Sequence, residues 1–222
     1  MSLPAPEPTD LQEALIVANG GRVGSGLLRR LHQQARVIIA TDGAASRLLR
    51  RGITPDFVVG DLDSLDPEAR SRIPAASLVY APDQDRCDLD KAIEVSIERG
   101  FRHITVVGGL GRRWDHSLTT ISLLIAYADK ARVRLVRGST VIMAVTDRLT
   151  ISGSAGDRVS LIAFAPVQGV TLTGVAWPLN GATLRPGSQG VSNRMTQAVA
   201  ELTIESGCVV VCHHASRREA RP

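Results

Sequence analysis

The first two-thirds of the chain alternates between short apolar runs and longer segments with helical periodicity. The apolar runs predict buried strands, and they read ALIV, RVIIAT, DFVVG, LVYA and HITVVG. The segments between them predict helices, among them GLLRRLHQQA, AASRLLRR, DLDKAIEVSIER and WDHSLTTISLLIAYADK. Strands that alternate with helices form βαβ units, so we predict a mainly parallel sheet with helices on both faces. The prediction is an N-terminal Rossmann-like α/β domain over residues 1–138.

The pattern changes at about Ser139. From there, short β-branched runs follow one another, separated by Gly, Asp, Ser and Pro, and no helical segment interrupts them. Such spacing is typical of an all-β sandwich. We predict a C-terminal β-sandwich domain over residues 139–216 and a disordered tail over residues 217–222.

Composition narrows the function classes. The 222-residue chain has a net charge of +4 and a pI near 9.4, but its basic residues are scattered and not interleaved with aromatic residues. We therefore predict no nucleic-acid binding. No apolar run reaches the roughly 18 residues of a membrane span, so we predict a cytoplasmic protein without membrane contact. A zinc site at Cys208 and Cys212 is disfavoured, because the two bracket three valines of a strand-like run.

Glycine and acidic residues gather where the predicted strands end. In open α/β sheets, ligands bind at the carboxyl ends of the strands. The segments at those ends are Asn19-Gly20-Gly21, Asp42-Gly43, Gly60-Asp61, Asp83 to Asp88 and Gly108 to Asp115. The sequence therefore predicts one site at this edge of the sheet.

The stretch GDLDS places Asp61 and Asp63 directly after an apolar strand. Two carboxylates there repel each other and add nothing to a core, so a bound cation is the obvious reason for them. An EF-hand is excluded, because Asp66 and Arg72 stand where Gly and Glu are required. The D-x-D motif of haloacid-dehalogenase-type phosphatases stays open. The two aspartates could instead cap the helix that follows, but Asp66 followed by Pro67 already explains that cap.

The segment DQDRCDLDKAI places Asp88 and Lys91 on one face of a helix, near its N-terminus. A carboxylate for a metal and an ammonium for phosphate are typical of a nucleotide site, although an ordinary solvated ion pair has the same spacing. The segment GGLGRRWDHS then offers a glycine turn and Arg113, which suits phosphate. No Walker loop is present. In the β region, Trp177 is either an exposed stacking platform or a plug at one end of the sandwich.

Five segments, taken in order, resemble thiamine pyrophosphokinase. They are TDGAASRLL, PDFVVGDLDS, DQDRCDLDKAI, GGLGRRWDHSL, and GVAWPL with GSQGVSNR. The resemblance implies a homodimeric enzyme with an α/β nucleotide-binding catalytic domain and a β-sandwich that binds thiamine. It further implies Mg2+-dependent transfer of pyrophosphate from ATP to the hydroxyl of thiamine, which gives thiamine diphosphate and AMP.

The resemblance also implies roles for individual residues. The carboxylates matched to magnesium are Asp61, Asp63 and Asp88. Further carboxylates matched to catalysis are Asp42, in a predicted Asp-Gly turn, and Asp115. The residues matched to ATP are Gly20, Gln84, Lys91, Gly109 and Arg113, and those matched to thiamine are Trp177, Ser192 and Asn193.

Two positions depart from the family pattern. Cys87 stands where the family usually has Thr, and Arg112 stands where it usually has a second Gly. Neither departure removes a metal ligand, so the two residues bear on the rate or the nucleotide preference more than on the class of reaction. The alternatives are a phosphatase with Asp61 as nucleophile, a pyrophosphokinase for another alcohol, and a non-catalytic thiamine or nucleotide sensor.

Overall fold

The computed structural model describes residues 13–111 and 113–216. The described chain divides into two compact units, each formed by two segments. Residues 13–123 and 130–138 form the α/β unit, and residues 124–129 and 139–216 form the β unit. Arg112 and the predicted tail, 217–222, lie outside the described residues. The domain boundaries drawn from the sequence stay a prediction.

The α/β unit is built on six parallel strands in the order β4-β3-β2-β1-β5-β6. Their bounds are β1 Glu13–Val17, β2 Val37–Thr41, β3 Phe57–Gly60, β4 Leu78–Tyr80, β5 His103–Val107 and β6 Arg132–Arg137. In the register of the central strands, Ile16 of β1 pairs with Ile39 of β2 and with Val106 of β5, and all three are almost fully buried. Parallel strands are covered on both faces, which explains their continuous apolar runs.

Five helices and a short 3-10 helix connect these strands. Their bounds are α1 Ser25–Gln34, α2 Asp42–Leu49, α3 Pro67–Ser71, α4 Asp88–Glu98, α5 Trp114–Ala126 and the 3-10 helix Ala75–Ser77. The predicted cap of α3 is confirmed, since the Asp66 side chain accepts a hydrogen bond from Ala69 N at 2.7 Å and Pro67 is the first helical residue. No described helix is long and apolar enough to cross a membrane.

Two details of this unit were not predicted. Asp42 opens α2 instead of lying in a turn before it, because the extended backbone of Thr41 already ends β2. Strand β6 was missed because its sequence, RVRLVR, alternates arginine with apolar residues. One of these arginines links β6 to the neighbouring strands: Arg134 donates to Thr105 Oγ1 of β5 at 2.6 Å and to Glu13 Oε1 of β1 at 2.7 Å.

The strands of the β unit pair antiparallel in two sets, with the orders β12-β9-β14-β7 and β11-β10-β13-β8, and the second set is a separate four-stranded sheet. Their bounds are β7 Thr140–Val145, β8 Arg148–Ser152, β9 Arg158–Ala163, β10 Val167–Thr173, β11 Leu179–Leu184, β12 Asn193–Arg194, β13 Val199–Thr203 and β14 Val209–His214. Buried side chains from both sets of strands form one hydrophobic cluster, which includes Leu161, Leu172 and Val211. The prediction of an α/β fold with a mainly parallel sheet followed by an all-β region is confirmed to the extent of a large, mostly parallel sheet and a separate antiparallel sheet.

Candidate active site

Three carboxylates meet at the carboxyl ends of β2 and β3. Each of Asp42, Asp61 and Asp63 has a carboxylate oxygen within 4.8 Å of the others. Asp42 follows β2, and the other two follow β3, its neighbour in the sheet. The predicted metal set named Asp88 in place of Asp42, and the structure places Asp88 at the start of α4, where it faces Asp42 across Gly60.

The Asp61–Asp63 loop has an unusual backbone. Leu62, between the two aspartates, has φ = 64°, in the left-handed region that a residue with a branched side chain rarely adopts. Asp63 N donates to Asp61 Oδ1 at 3.3 Å, and Ser64 Oγ donates to Asp63 Oδ1 at 3.0 Å. Such a conformation costs about 1–3 kcal/mol and is concentrated at functional sites, so it supports a role for this loop beyond packing.

Gly60 leaves the space in which the carboxylates approach one another. A Cβ at this position would lie 3.0 Å from Asp42 Cγ and 3.2 Å from Asp88 Oδ1. Any side chain would therefore displace Asp42, which is confined in a helix start, or Asp88. The close approach of the carboxylates therefore requires glycine at position 60.

The cluster is electrostatically unfavourable without a cation. Asp42 is only 2% exposed. Burial and the charges of Asp88 and Asp61 raise its pKa to about 6, although the N–H groups of Gly43 and Ser64 oppose this. Burial also raises the pKa of Asp88, against the effect of Lys91. The folded chain therefore holds carboxylates together at a cost that a divalent cation would relieve.

Lys91 is the positive charge next to this cluster. Its side chain is 5% exposed, and its Nζ lies 3.6 Å from Asp88 Oδ1, one turn earlier in α4. The predicted placement of Asp88 and Lys91 on one helical face is therefore confirmed. A buried ammonium is expensive unless it has an anionic partner, so Lys91 is suited to hold a further anion beside Asp88.

The glycine turns after β1 and β5 pack backbone against backbone. A Cβ at Gly20 would lie 2.7 Å from Gly108 O, and one at Gly21 would lie 2.1 Å from Leu110 O. Gly109, in the same turn, would bring a Cβ to 3.0 Å from Thr120 Cγ2. The two turns that hold the predicted ATP residues Gly20 and Gly109 therefore form one rigid edge.

Arg47 fastens the turn after β1 and was missed as a site residue. Its Nη2 donates to Ala18 O at 2.9 Å, and its Nη1 donates to Gly21 O at 3.3 Å. The signal was available, because Arg47 lies inside the segment TDGAASRLL. Its contacts with two carbonyls of another loop, however, follow only from the fold.

Arg113, Asp115 and Gln84 lie at the exposed rim. Asp115 accepts hydrogen bonds from Arg113 Nε at 3.1 Å and from Arg113 Nη2. This pairing lowers the pKa of Asp115 to about 2. Gln84 Nε2 is 3.5 Å from Asp61 Oδ2, so the structure brings Gln84 to the acidic cluster, as a residue of the same site would require.

The predicted thiamine residues lie together in the β unit. Trp177 is 58% exposed, whereas Asn193 is only 6% exposed. Asn193 Nδ2 donates to Trp177 O at 2.6 Å, and Asn193 Oδ1 accepts from Trp177 N at 3.1 Å. Ser192, with φ = 65°, anchors the next turn by donating its N–H to Ser160 Oγ at 2.9 Å. The Arg194 guanidinium, which was not predicted, lies 5.9 Å from the centre of the Trp177 ring.

The fold and the site together define a class. A mostly parallel sheet carries grouped carboxylates, a buried lysine and paired glycine turns at its strand ends, while a separate antiparallel unit presents an exposed tryptophan. Carboxylates suited to a divalent cation beside an ammonium are typical of enzymes that transfer phosphoryl groups.

Comparison with known proteins identifies the family. The model described as "Thiamin pyrophosphokinase, catalytic domain" matches residues 28–136, and the one described as "Thiamin pyrophosphokinase, vitamin B1 binding domain" matches residues 147–209. The chain belongs to the thiamin pyrophosphokinase family. The resemblance drawn from the five segments is therefore confirmed, and so is the assignment to an enzyme class, a kinase among the transferases.

Individual relatives agree. The chain is 29% identical to thiamine pyrophosphokinase of Bacillus subtilis over 78% of this chain and 85% of that protein. It is 33% identical to thiamin pyrophosphokinase 1 of Caenorhabditis elegans, in a match that spans about half (53%) of that protein's length. The crystal structure of the Bacillus subtilis enzyme superposes with a TM-score of 0.78 and 26% identity, over 91% of this chain and 99% of that one.

Proposed function

We propose that the chain transfers pyrophosphate from ATP to the hydroxyl of thiamine, giving thiamine diphosphate and AMP, with Mg2+ as its cofactor. The observation that carries this proposal is the grouping of Asp42, Asp61 and Asp63 beside the Asp88–Lys91 pair. The phosphatase alternative loses its support, because the matched family is that of a pyrophosphokinase. A non-catalytic sensor does not need a full carboxylate cluster.

The donor set fits magnesium. The ion prefers oxygen ligands, keeps several waters and needs only a few carboxylates, which is what the strand ends offer. Asp61, Asp63 and Asp88 would hold it, with Asp42 adjacent, and the raised pKa of Asp42 is the sign of charge that lacks compensation. When bound, the ion supplies charge neutralisation for the phosphates.

The remaining residues of the α/β unit would orient and stabilise the donor. Lys91 and Arg113 would balance negative charge on the transferred group, and Gln84 would help to hold the triphosphate. The rigid edge formed by Gly20 and Gly109 would let backbone N–H groups approach the nucleotide closely. We also propose that this unit is Rossmann-like, because its strand order reverses direction between β1 and β5, where these turns lie.

Two carboxylates were candidates for accepting the hydroxyl proton. Asp115, with a pKa near 2, is committed to Arg113 and is a weak base. Asp42 lies among the carboxylates at the strand ends, and its hydrogen-bond donors are the uncharged N–H groups of Gly43 and Ser64. On this position we favour Asp42 as the proton acceptor and assign Asp115 to the positioning of Arg113.

The β unit would bind thiamine. The exposed Trp177 indole suits stacking on a cationic heterocycle, with Ser192 next to it in the site. Asn193 is buried, and its side-chain amide hydrogen-bonds the backbone N–H and C=O of Trp177. Its role would therefore be to position the tryptophan. A sandwich architecture and a cytoplasmic location stay predictions from the sequence pattern, and a homodimer stays a prediction from the resemblance.

The reaction itself is the test. Purified protein is incubated with ATP, magnesium and thiamine, and the products are separated by chromatography. We expect thiamine diphosphate and AMP in equal amounts, and neither with the Asp61→Asn variant, which controls for a contaminating kinase. Phosphate release without AMP would contradict the proposal in favour of a phosphatase. Turnover with another alcohol but not with thiamine would contradict the assigned acceptor.

A further inference from the structure

Asn19 lies at the strand ends, among residues assigned to the metal ion and the nucleotide, but it has no assigned role of its own. It comes two residues after Val17, which pairs with Ala40 of β2, and Asp42 comes two residues after Ala40. The two parallel strands therefore bring Asn19 and Asp42 to the same edge of the sheet. The residues of β1 are buried or half-buried, whereas Asn19 is exposed.

The side chain of Asn19 lies against the first turn of α2. A Cβ added at Gly43 would be 2.2 Å from Asn19 Nδ2 and 2.9 Å from Asn19 Cγ. Gly43 is a helical residue and is not among the described residues with positive φ, so its backbone conformation does not require glycine. The requirement for glycine at this position comes from the amide of Asn19, which fills the space that any larger residue would occupy.

Two polar side chains at this place have no partner in the protein. Within residues 13–111 and 113–216, no hydrogen bond involves the amide of Asn19. Thr41, the residue before α2, is 3% exposed, and its Oγ1 has no hydrogen-bond partner in the same part of the chain. Its side chain does not cap the helix either. A buried hydroxyl without a partner is unfavourable, so the fold leaves polar groups here that a ligand can satisfy.

The surroundings of the Asn19 amide determine the kind of ligand that it suits. The N-terminus of an α-helix favours anions, because its first N–H groups are unpaired and its dipole is positive there. The acidic cluster lies at the ends of β2 and β3, and the rigid edge of the glycine turns lies at the ends of β1 and β5. Asn19, at the end of β1 and in contact with α2, lies between them. A phosphate group that brings a cation fits this place, and a neutral amide donates to it without adding charge.

We propose that Asn19 is a further substrate-binding residue, whose Nδ2 donates a hydrogen bond to a phosphate oxygen of the nucleotide. Gly43 would keep free the space from which the amide does this. The proposal rests on the ATP-dependent reaction proposed above, and it adds to that reaction one side chain that contacts the donor and one glycine that admits this side chain.

Binding of α,β-methylene-ATP in the presence of magnesium tests the contact without turnover, because a carbon replaces the bridging oxygen of the bond that breaks. Calorimetry should show binding to Asn19→Ala that is weaker than to the wild type by about tenfold or more, since a hydrogen bond to a charged group is lost. Asn19→Leu keeps a branched side chain without the donor and should be as weak. Wild-type affinity in either variant would overturn the proposal.

Gly43→Ala tests the geometry from the other side of the contact. Its methyl group would occupy the position of the amide, so binding should weaken by about fivefold or more in the wild type, but by less than about twofold in Asn19→Ala. Losses that multiply would overturn the proposal, because Gly43→Ala would then act through another group. The matched control is Gly26→Ala within α1, where an added Cβ meets nothing within 4 Å, and it should bind within about twofold of the wild type.

The outcome is separable from that of the proposed reaction. A wild type that binds the analogue but forms no thiamine diphosphate would contradict the reaction, and the variants would still decide the role of Asn19. A wild type that turns over, with kcat and the KM for ATP unchanged in Asn19→Ala, would contradict the role of Asn19 alone. Absence of saturable binding to the wild type would also overturn it. The Asn19 variants alter an exposed side chain, so they decide the question even if Gly43→Ala fails to fold.

Discussion

Two aspartates of this protein are equally buried and electrostatically opposite. Asp42 of the α/β unit is 2% exposed, and Asp157 of the β unit is 3% exposed. Asp42 lies among other carboxylates, and its pKa rises to about 6. Burial by itself raises the pKa of Asp157, but hydrogen bonds lower it below its ordinary value. They come from Ser216 N at 2.8 Å, Ser154 N at 3.0 Å and His213 Nε2 at 3.2 Å.

The difference shows that burial of a carboxylate does not by itself indicate function. Asp157 is surrounded by donors and ties the residues after β14 to the turn before β9, which is a structural task. Asp42 is surrounded by acceptors and is stabilised by little besides the N–H groups of Gly43 and Ser64. A buried carboxylate that lacks hydrogen-bond donors and lies near other negative charges is a candidate catalytic or metal-binding group. A buried carboxylate whose oxygens accept hydrogen bonds stabilises the fold.

The largest expected effect is on turnover. Asp42→Asn should lower kcat by on the order of 10²–10³, because a charge at the proposed reacting centre is lost while the shape is kept. Asp157→Asn should keep kcat within about threefold of the wild type, since the residue belongs to the structural pair. Steady-state kinetics of both variants check this, and a similar loss in both would break the comparison.

The next effect is on stability. Asp157→Ala should lower the free energy of unfolding by about 3–5 kcal/mol, because it leaves the buried His213 without its partner and removes the acceptor of the Ser154 and Ser216 N–H groups. Urea unfolding followed by circular dichroism measures it. The matched variant is Asp147→Ala, which removes an exposed aspartate of the same unit, and it should change stability by less than about 0.5 kcal/mol.

The third effect depends on pH. The folded-state pKa of Asp42 is raised, so its protonated form favours folding below the unfolded value of 3.8, and that contribution is lost as pH rises through about 6. Without metal, Asp42→Asn should therefore be more stable than the wild type at pH 7.5, by on the order of 2 kcal/mol, and the gap should close toward pH 4.

Asp157 should behave in the opposite way. Its lowered pKa stabilises the fold above the unfolded value, and that contribution is lost as pH falls. Urea unfolding of the wild type, Asp42→Asn and Asp157→Asn from about pH 2.5 to about pH 8 tests both directions, because the Asp157 contribution is lost only below its unfolded pKa. A stability gap for Asp42→Asn that is constant over this range would contradict the electrostatic account.

The smallest effect is that of magnesium on thermal stability. The ion should raise the unfolding temperature of the wild type by a few degrees, which corresponds to about 1–3 kcal/mol for a site well above half-saturation. Asp61→Asn/Asp63→Asn should lose this shift, and Asp157→Ala should keep it from its lower starting point. Differential scanning fluorimetry with and without EDTA is sufficient, and an equal shift in all three would place the ion elsewhere.

Local patterns in the sequence predicted what lies within one element. The alternation of runs predicted most strands and helices, Asp66 with Pro67 predicted the start of α3, and the spacing of Asp88 and Lys91 predicted their shared face. Five ordered segments were sufficient for the family. These features could be read directly because capping and helical periodicity depend on residues a few positions apart.

Other features depend on which segments become neighbours. The grouping of Asp42 with Asp61 follows from the pairing of β2 with β3, and the clamp of Arg47 follows from the place of α2 beside the turn after β1. The left-handed backbone of Leu62 and the contact of Asn193 with Trp177 have no local signal of this kind. The sequence by itself determined most of the elements, the order of the motifs and the family. Only the tertiary structure decided which carboxylates interact electrostatically, because burial and electrostatic interaction are set by distance in space and not by separation along the chain.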